Sequence, residues 1–130
     1  MRHTREMATL RRSLQLLRSF RFEQTHPEIF YGGLAEDTAA LVDNLGRDLG
    51  VQLPGARVLD VGGGPGYFAD AFARHGAHYV GLEPDAGEMS AAGIHLSNSV
   101  RGDGTNLPCA DDSFDVVYSS NVAEHIPNPW

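Results

Sequence analysis

Residues 58–66 read Val58-Leu59-Asp60-Val61-Gly62-Gly63-Gly64-Pro65-Gly66, and this stretch decides the fold. A short apolar run that ends in glycines reads as a buried strand giving way to a tight turn. Glycines let the backbone turn sharply and let a ligand approach it closely. Tyr67 to His75 then follows a helical pattern that Gly76 stops. The helix N-terminus behind the loop presents free N–H groups. A strand, a glycine loop and a helix in that order suit a nucleotide-like cofactor.

Working outward, the pattern alternates strand and helix. His78–Leu82 is a second strand, Ala86–Gly93 a weak helix, Ser97–Arg101 a third strand, and Phe114–Ser119 a fourth with Val116, Val117 and Tyr118 at its centre. Such alternation implies right-handed crossovers and an α/β fold: a Rossmann-like parallel sheet with helices on both faces. Upstream, Pro54-Gly55 is a turn, and Leu34 to Leu49 reads as a helix. Its face is Leu34, Thr38, Leu41, Val42, Leu45 and Leu49, and Gly50 ends it. Residues 23–33 read as a linker holding two aromatics and punctuated by Pro27, Gly32 and Gly33. Before it, Met7, Leu10, Leu14 and Leu17 recur at helical spacing with arginines on the other faces, for packing on the body, on a partner or on a membrane surface. The chain thus divides into a basic helix and linker, 1–33, and a partial cofactor-binding domain, 34–130.

Composition narrows the function. At 130 residues the chain holds one domain. No run of 18 apolar residues exists, so no transmembrane segment is expected. The net charge of −7 is uneven: residues 1–22 carry six Arg and one acid, while residues 23–130 carry four Arg and sixteen acids. The acidic body argues against nucleic acid as a partner. Cys109 stands alone, which excludes an internal disulfide and fits a cytoplasmic location. The arginines interrupt any signal-peptide core. His75 and His78 lack a third ligand, so no metal is expected.

The cofactor can be chosen on charge. Gly64-Pro65-Gly66-Tyr67-Phe68-Ala69 matches the dinucleotide pattern G-x-G-x-x-A, and Glu83 lies seventeen residues beyond Gly66. An NAD-dependent oxidoreductase is therefore one reading. Asp60 opposes it. At the carboxyl end of the first strand, where a parallel sheet places its ligand, a carboxylate repels a pyrophosphate. It attracts a cationic ligand by roughly a few kcal/mol. S-adenosylmethionine carries an ammonium and a sulfonium, and suits the acid-plus-glycine loop better.

Asp60-Val61-Gly62-Gly63-Gly64-Pro65-Gly66 resembles the first motif of the class I S-adenosylmethionine-dependent methyltransferases, an acid followed by G-x-G-x-G. Gly81-Leu82-Glu83-Pro84-Asp85, Gly102-Asp103-Gly104-Thr105-Asn106-Leu107-Pro108 and Asp111-Asp112-Ser113-Phe114-Asp115-Val116-Val117 follow in that family's order. The resemblance covers residues 57–126. It implies that Glu83 accepts hydrogen bonds from the ribose diol. It implies that Asp103 accepts from the adenine amino group, and that Pro84 and Leu107 pack on the adenine face. Gly62 and Gly64 allow close approach, and Gly66 joins them while serving helix–strand packing. Asn121 is the polar contact after the fourth strand. His125 is a candidate general base for an acceptor hydroxyl, or a packing residue near the site. Tyr31, with His26 and Phe30 beside it, is a candidate cation–π partner for the sulfonium, or an aromatic anchor for the segment before the domain.

Family members usually have seven strands in the order 3-2-1-4-5-7-6, and this chain holds candidates for the first four. The resemblance implies the cofactor-binding half of a methyltransferase, truncated after about the fourth strand. The acceptor is expected to be a small molecule. The fourth strand would be an open edge, and self-association or a partner is expected there. A non-catalytic cofactor-binding or docking fragment is the third reading.

Overall fold

The computed structural model describes residues 2–91, 93 and 98–127, with residues 2–11 described by their backbone. In chain order the elements are α1 (Arg2–Thr25), α2 (Pro27–Asp48), β1 (Arg57–Val61), α3 (Ala69–Arg74), β2 (His78–Glu83), α4 (Ala86–Ser90), β3 (Ser99–Arg101), β4 (Val116–Tyr118) and a 3-10 helix (Ala123–His125). The strands form one parallel sheet in the order β3-β2-β1-β4. This is the expected α/β arrangement for the first four strands. Ala92 and Ser97, at the limits expected for the fourth helix and third strand, lie outside the described residues, as do residues 128–130.

β1 sits between β2 and β4, and Val58 to Val61 are all buried. A strand covered on both faces reads as a continuous apolar run, as this one does. Its two faces build two cores. Val58 packs with Phe68, Ala69, Phe72 and Tyr79 beneath Ala35 and Ala39 of α2. Leu59, Val61 and Leu82 pack on the opposite face against Val80, Cys109 and Phe114. Helices α2 and α3 therefore supply one of the two expected layers, and loop residues close the other cluster. At the sheet's base the Arg57 guanidinium and backbone N–H both donate to Asp115, joining the start of β1 to the segment entering β4.

Two expectations are corrected. Residues 23–33 are helical and not a linker, apart from the break at His26. Pro27 starts α2, where its fixed φ suits the first helical turn and its missing N–H has no partner to lose. Gly32 and Gly33 each cost about 1 kcal/mol against alanine in a helix. Tertiary contacts offset this: Tyr31 donates to Glu23 of α1, and its ring stacks on Tyr67 at 5.1 Å. The 33/34 division therefore falls inside α2.

The buried stripe of α2 is also different. Ala35, Ala39 and Asp43 are buried, while Leu34, Leu41, Leu45 and Leu49 are exposed and Val42 is partly buried. Small side chains let the helix lie close to α3 and the sheet. Asp43, bonded to Arg47, is a polar member of that stripe that hydrophobic periodicity passes over. The end of α2 does follow expectation. Gly50 is left-handed (φ 78°), its N–H bonds Arg47 O, and Val51 N–H bonds Gly46 O. That is a Schellman closure. On α1, Leu14 and Leu17 are exposed, and among the described side chains a contact with α2 lies at its C-terminal end, where Phe22 meets Phe30 edge-on. The side chains of Met7 and Leu10 lie outside the described residues.

The two stripes of α2 can be told apart by mutation. Ala39→Leu should destabilise the fold by about 1–3 kcal/mol through overpacking. Leu41→Gln should stay within about 0.5 kcal/mol. Denaturant midpoints with equal slopes are the measurement, and the reverse ranking would mean the leucine stripe is the buried one.

Candidate cofactor site

The chain leaves β1 toward β2 and β3 on one side and returns to add β4 on the other. In an open parallel sheet this reversal opens a crevice beyond the strand ends, and ligands bind there. A cavity of about 300 Å³ lies at that point. Its floor is Asp60 and the Gly62–Pro65 loop after β1. Ser120, Asn121 and Val122 come from the loop after β4, with Tyr118 below them. Tyr31 of α2, Tyr67, Phe68 and Glu88 of α4 form the remaining wall.

The glycine loop is shaped by backbone need. Gly62, Gly64 and Gly66 have φ of 79°, 51° and 83°, a region that L side chains enter at a cost. A Cβ on Gly62 would also lie 2.2 Å from a methyl of Val122. The N–H groups of Gly62 and Gly63 both donate to Leu82 O at the end of β2 (2.7 and 3.1 Å). Ser119 donates to Val61 O at 3.0 Å, which fixes the loop after β4 to the end of β1.

Two buried carboxylates stand on the same sheet face. Asp60, 2% exposed, accepts from the Tyr79 hydroxyl at 2.7 Å. Burial pushes its carboxyl up to about 6, and the charge of Glu83 adds to this, while the Tyr79 hydrogen bond pulls the other way. Glu83, at the end of β2, accepts from Gly64 N–H at 3.0 Å through one oxygen and from Asp85 N–H at 2.9 Å through the other. A carboxylate has about four acceptor positions, so two remain for a ligand. Glu83 does not line the cavity itself but holds Gly64, which does.

The candidate residues therefore separate into two groups. Asp60, Gly62, Gly64, Asn121 and Tyr31 line the cavity together, and Gly66 closes the turn behind them with its N–H on Gly63 O. Asn121 holds a left-handed backbone (φ 55°). The Tyr31 phenol is pushed up to about 12, first by its bond to Glu23 and then by burial, with the Asn121 side chain opposing. Pro84, Asp103, Leu107 and His125 are not in the cavity wall. Asp103 turns its Oδ1 onto the Thr105 N–H and hydroxyl (2.7 and 2.8 Å), which holds its carboxyl below the usual range. Leu107 lines a separate hollow with Leu59, Cys109 and Val117. Pro84 is exposed, and so is His125 on the 3-10 helix.

Tyr67, Phe68, Glu88, Tyr118 and Tyr79 escaped the sequence reading. For Tyr79 a signal existed: strand side chains alternate, so residues 79, 81 and 83 share the face that carries Glu83. Among the described residues no Lys, Arg or His lines the cavity. Its charge is acidic and its walls partly aromatic, which favours a cation. No group of His, Cys, Asp and Glu suited to hold a metal ion occurs among the described residues.

Comparison with known proteins agrees with this geometry. The family described as "Methyltransferase domain" matches residues 59–130. A protein of Mycolicibacterium gilvum named an uncharacterized methyltransferase is 58% identical over 128 residues, 95% of this chain and 50% of that protein. One of Mycobacterium avium, named likewise, is 56% identical over 128 residues, 95% of this chain and 51% of that protein. The chain thus spans about half the length of these curated relatives. The crystal structure of an S-adenosylmethionine-dependent methyltransferase from Mesorhizobium loti superposes with TM-score 0.52 at 30% identity, over 58% of this chain and 38% of that one. A Methanococcus maripaludis structure shares the fold over 83% of this chain and 49% of its own, with TM-score 0.61 at 17% identity. The chain belongs to the methyltransferase domain family and has the Rossmann-like fold of the class I S-adenosylmethionine-dependent methyltransferases.

Proposed function

We propose that the protein binds S-adenosylmethionine in the cavity between the ends of β1 and β4 and takes part in methyl transfer to a small-molecule acceptor. The observation that carries this reading is Asp60, a buried carboxylate on the floor of a glycine-lined cavity that, among the described residues, no cationic side chain lines. Such a group gains most from a ligand that brings positive charge. The residues present fit the cofactor in kind: a counter-charge in Asp60, a diol acceptor in Glu83, and aromatic surface in Tyr31 and Tyr67.

When bound, the cofactor supplies a methyl group already activated by the sulfonium, so the protein's task is orientation and exclusion of water. Asp60 and the glycine loop fix one end of the ligand, and the stacked Tyr31–Tyr67 pair covers it from the α2 side. The dinucleotide reading is weaker on the same ground, because a pyrophosphate would face Asp60 and Glu88.

Calorimetric titration separates the two. S-adenosylmethionine should bind more tightly than NAD, and tighter NAD binding would defeat the methyltransferase reading. Glu83→Ala should lower affinity for S-adenosylmethionine by ~2–4 kcal/mol. The fold should also lose ~1–3 kcal/mol, because the Gly64 and Asp85 N–H groups lose a buried acceptor. Unchanged affinity in that variant would mean the ribose lies elsewhere.

β4 is an edge strand with Val117 63% exposed, and Leu45, Leu49 and Val116 line an apolar groove beside it. We infer that the 130-residue chain pairs with a second copy along this edge. Light scattering should report a mass above 14.1 kDa that rises with concentration. A monomer at all concentrations would show the edge to be protected.

A further inference from the structure

We infer that Tyr79 is a positioning residue of the cofactor site: its phenol, seated in a slot left by Gly63 and Gly81, fixes the Asp60 carboxylate that lines the cavity. The inference rests on the reading of Asp60 as counter-charge to a cationic cofactor.

The slot is visible in the space around two glycines. A Cβ built on Gly63 would lie 2.9 Å from the Tyr79 hydroxyl, and one on Gly81 would lie 3.3 Å from it. Neither glycine has a left-handed backbone. What these positions supply is the absence of a side chain, and the phenol fills the room. Gly63 belongs to the loop after β1, and Gly81 is the β2 partner of Asp60 in the parallel register. The hydroxyl therefore sits between the glycine loop and the sheet, and it donates to Asp60 Oδ2 at 2.7 Å. The ring is held by the core, 7% exposed and stacked on Phe72 at 6.1 Å.

A buried carboxylate with a rigid donor on one oxygen has little freedom to rotate, so the other oxygen keeps a constant direction. The groups around Asp60 sharpen this. Glu83 and Tyr79 come from β2, Tyr118 is its partner in β4, and Glu88, Tyr31 and Tyr67 line the same cavity. None of them is cationic. Tyr79 itself is pushed far above its ordinary range by burial and by the Asp60 charge, so it stays protonated and keeps donating. The donor lowers the pH at which Asp60 ionises, while burial raises it to about 6. Affinity for a cationic ligand should therefore rise as pH climbs through about 6, and Tyr79 sets where that rise falls.

Tyr79→Phe keeps the ring in the slot and removes the donor. In ligand-free protein, carbon NMR of labelled aspartate should show the Asp60 midpoint rising by about one pH unit or more. Titration of S-adenosylmethionine should then show affinity about fivefold below the native protein at pH 6 for a one-unit rise, narrowing to near parity at pH 8. Asp60→Asn should remove the pH dependence over this range. An unmoved Asp60 midpoint, or one affinity deficit shared by all pH values, would overturn the inference and leave Tyr79 a packing residue. A midpoint that moves with no matching change in affinity supports the Tyr79–Asp60 coupling and sinks instead the assignment of Asp60 to the cofactor.

Discussion

The backbone between Val61 and Gly66 has to leave the sheet, reverse and start a helix while keeping its N–H groups occupied and its outer surface bare. Two of those N–H groups share Leu82 O and a third takes the Glu83 carboxylate. The loop is thus tied to the end of β2, and only because β1 and β2 run parallel in one register, with Val61 opposite Leu82. Register, loop and site form one unit. A slip of one residue between β1 and β2 would put Asp60 and Glu83 on opposite faces of the sheet. The displaced strand would present Leu82 or Val61 to the cavity side in place of its carboxylate.

That unit stores an electrostatic cost. Asp60 and Glu83 are both buried on one face, with hydroxyl and backbone donors and, among the described residues, no cation bonded to either. For Asp60 the sign is plain. Its folded carboxyl titrates at about 6 against an ordinary 3.8. Its contribution to stability is fully present below about pH 4 and is lost as pH rises through about 6. The fold at neutral pH therefore carries an ionised group that it would be steadier without. Such tension is common where a site is built for a ligand of opposite charge.

The strands were legible because each depends on local information. Val58-Leu59-Asp60-Val61 is a largely apolar run closed by glycine, and β1 covers it, starting one residue earlier at Arg57. β2 extends one residue further, to Glu83, and β4 is shorter than Phe114–Ser119. The motif residues that meet at the cavity, Asp60, Gly62, Gly64 and Asn121, follow the ends of β1 and β4, which the topology makes neighbours. What was not legible depends on contacts between distant segments. Pro27 and the Gly32-Gly33 pair punctuate a linker in isolation, and only the Tyr31 contacts with Glu23 and Tyr67 reveal a continuous helix. The α2 stripe was misread because leucine is the stronger hydrophobic signal, while a close helix contact selects alanine.

These contacts also change what the N-terminal segment is. Tyr31 lies on α2, bonds α1 through Glu23, stacks on the residue that follows the glycine loop, and lines the cavity beside Asn121. Phe22 stacks on His26 at 5.2 Å across the break between the two helices, and Phe30 meets Tyr31 edge-on at 5.2 Å. A chain of rings thus runs from the end of α1 to the cavity wall. A ligand that contacts Tyr31 would alter the packing of this chain, and a shift of α1 would alter the wall. The helices before β1 are therefore mechanically part of the site, and a boundary drawn at residue 33 separates Tyr31 from the Tyr67 on which it stacks.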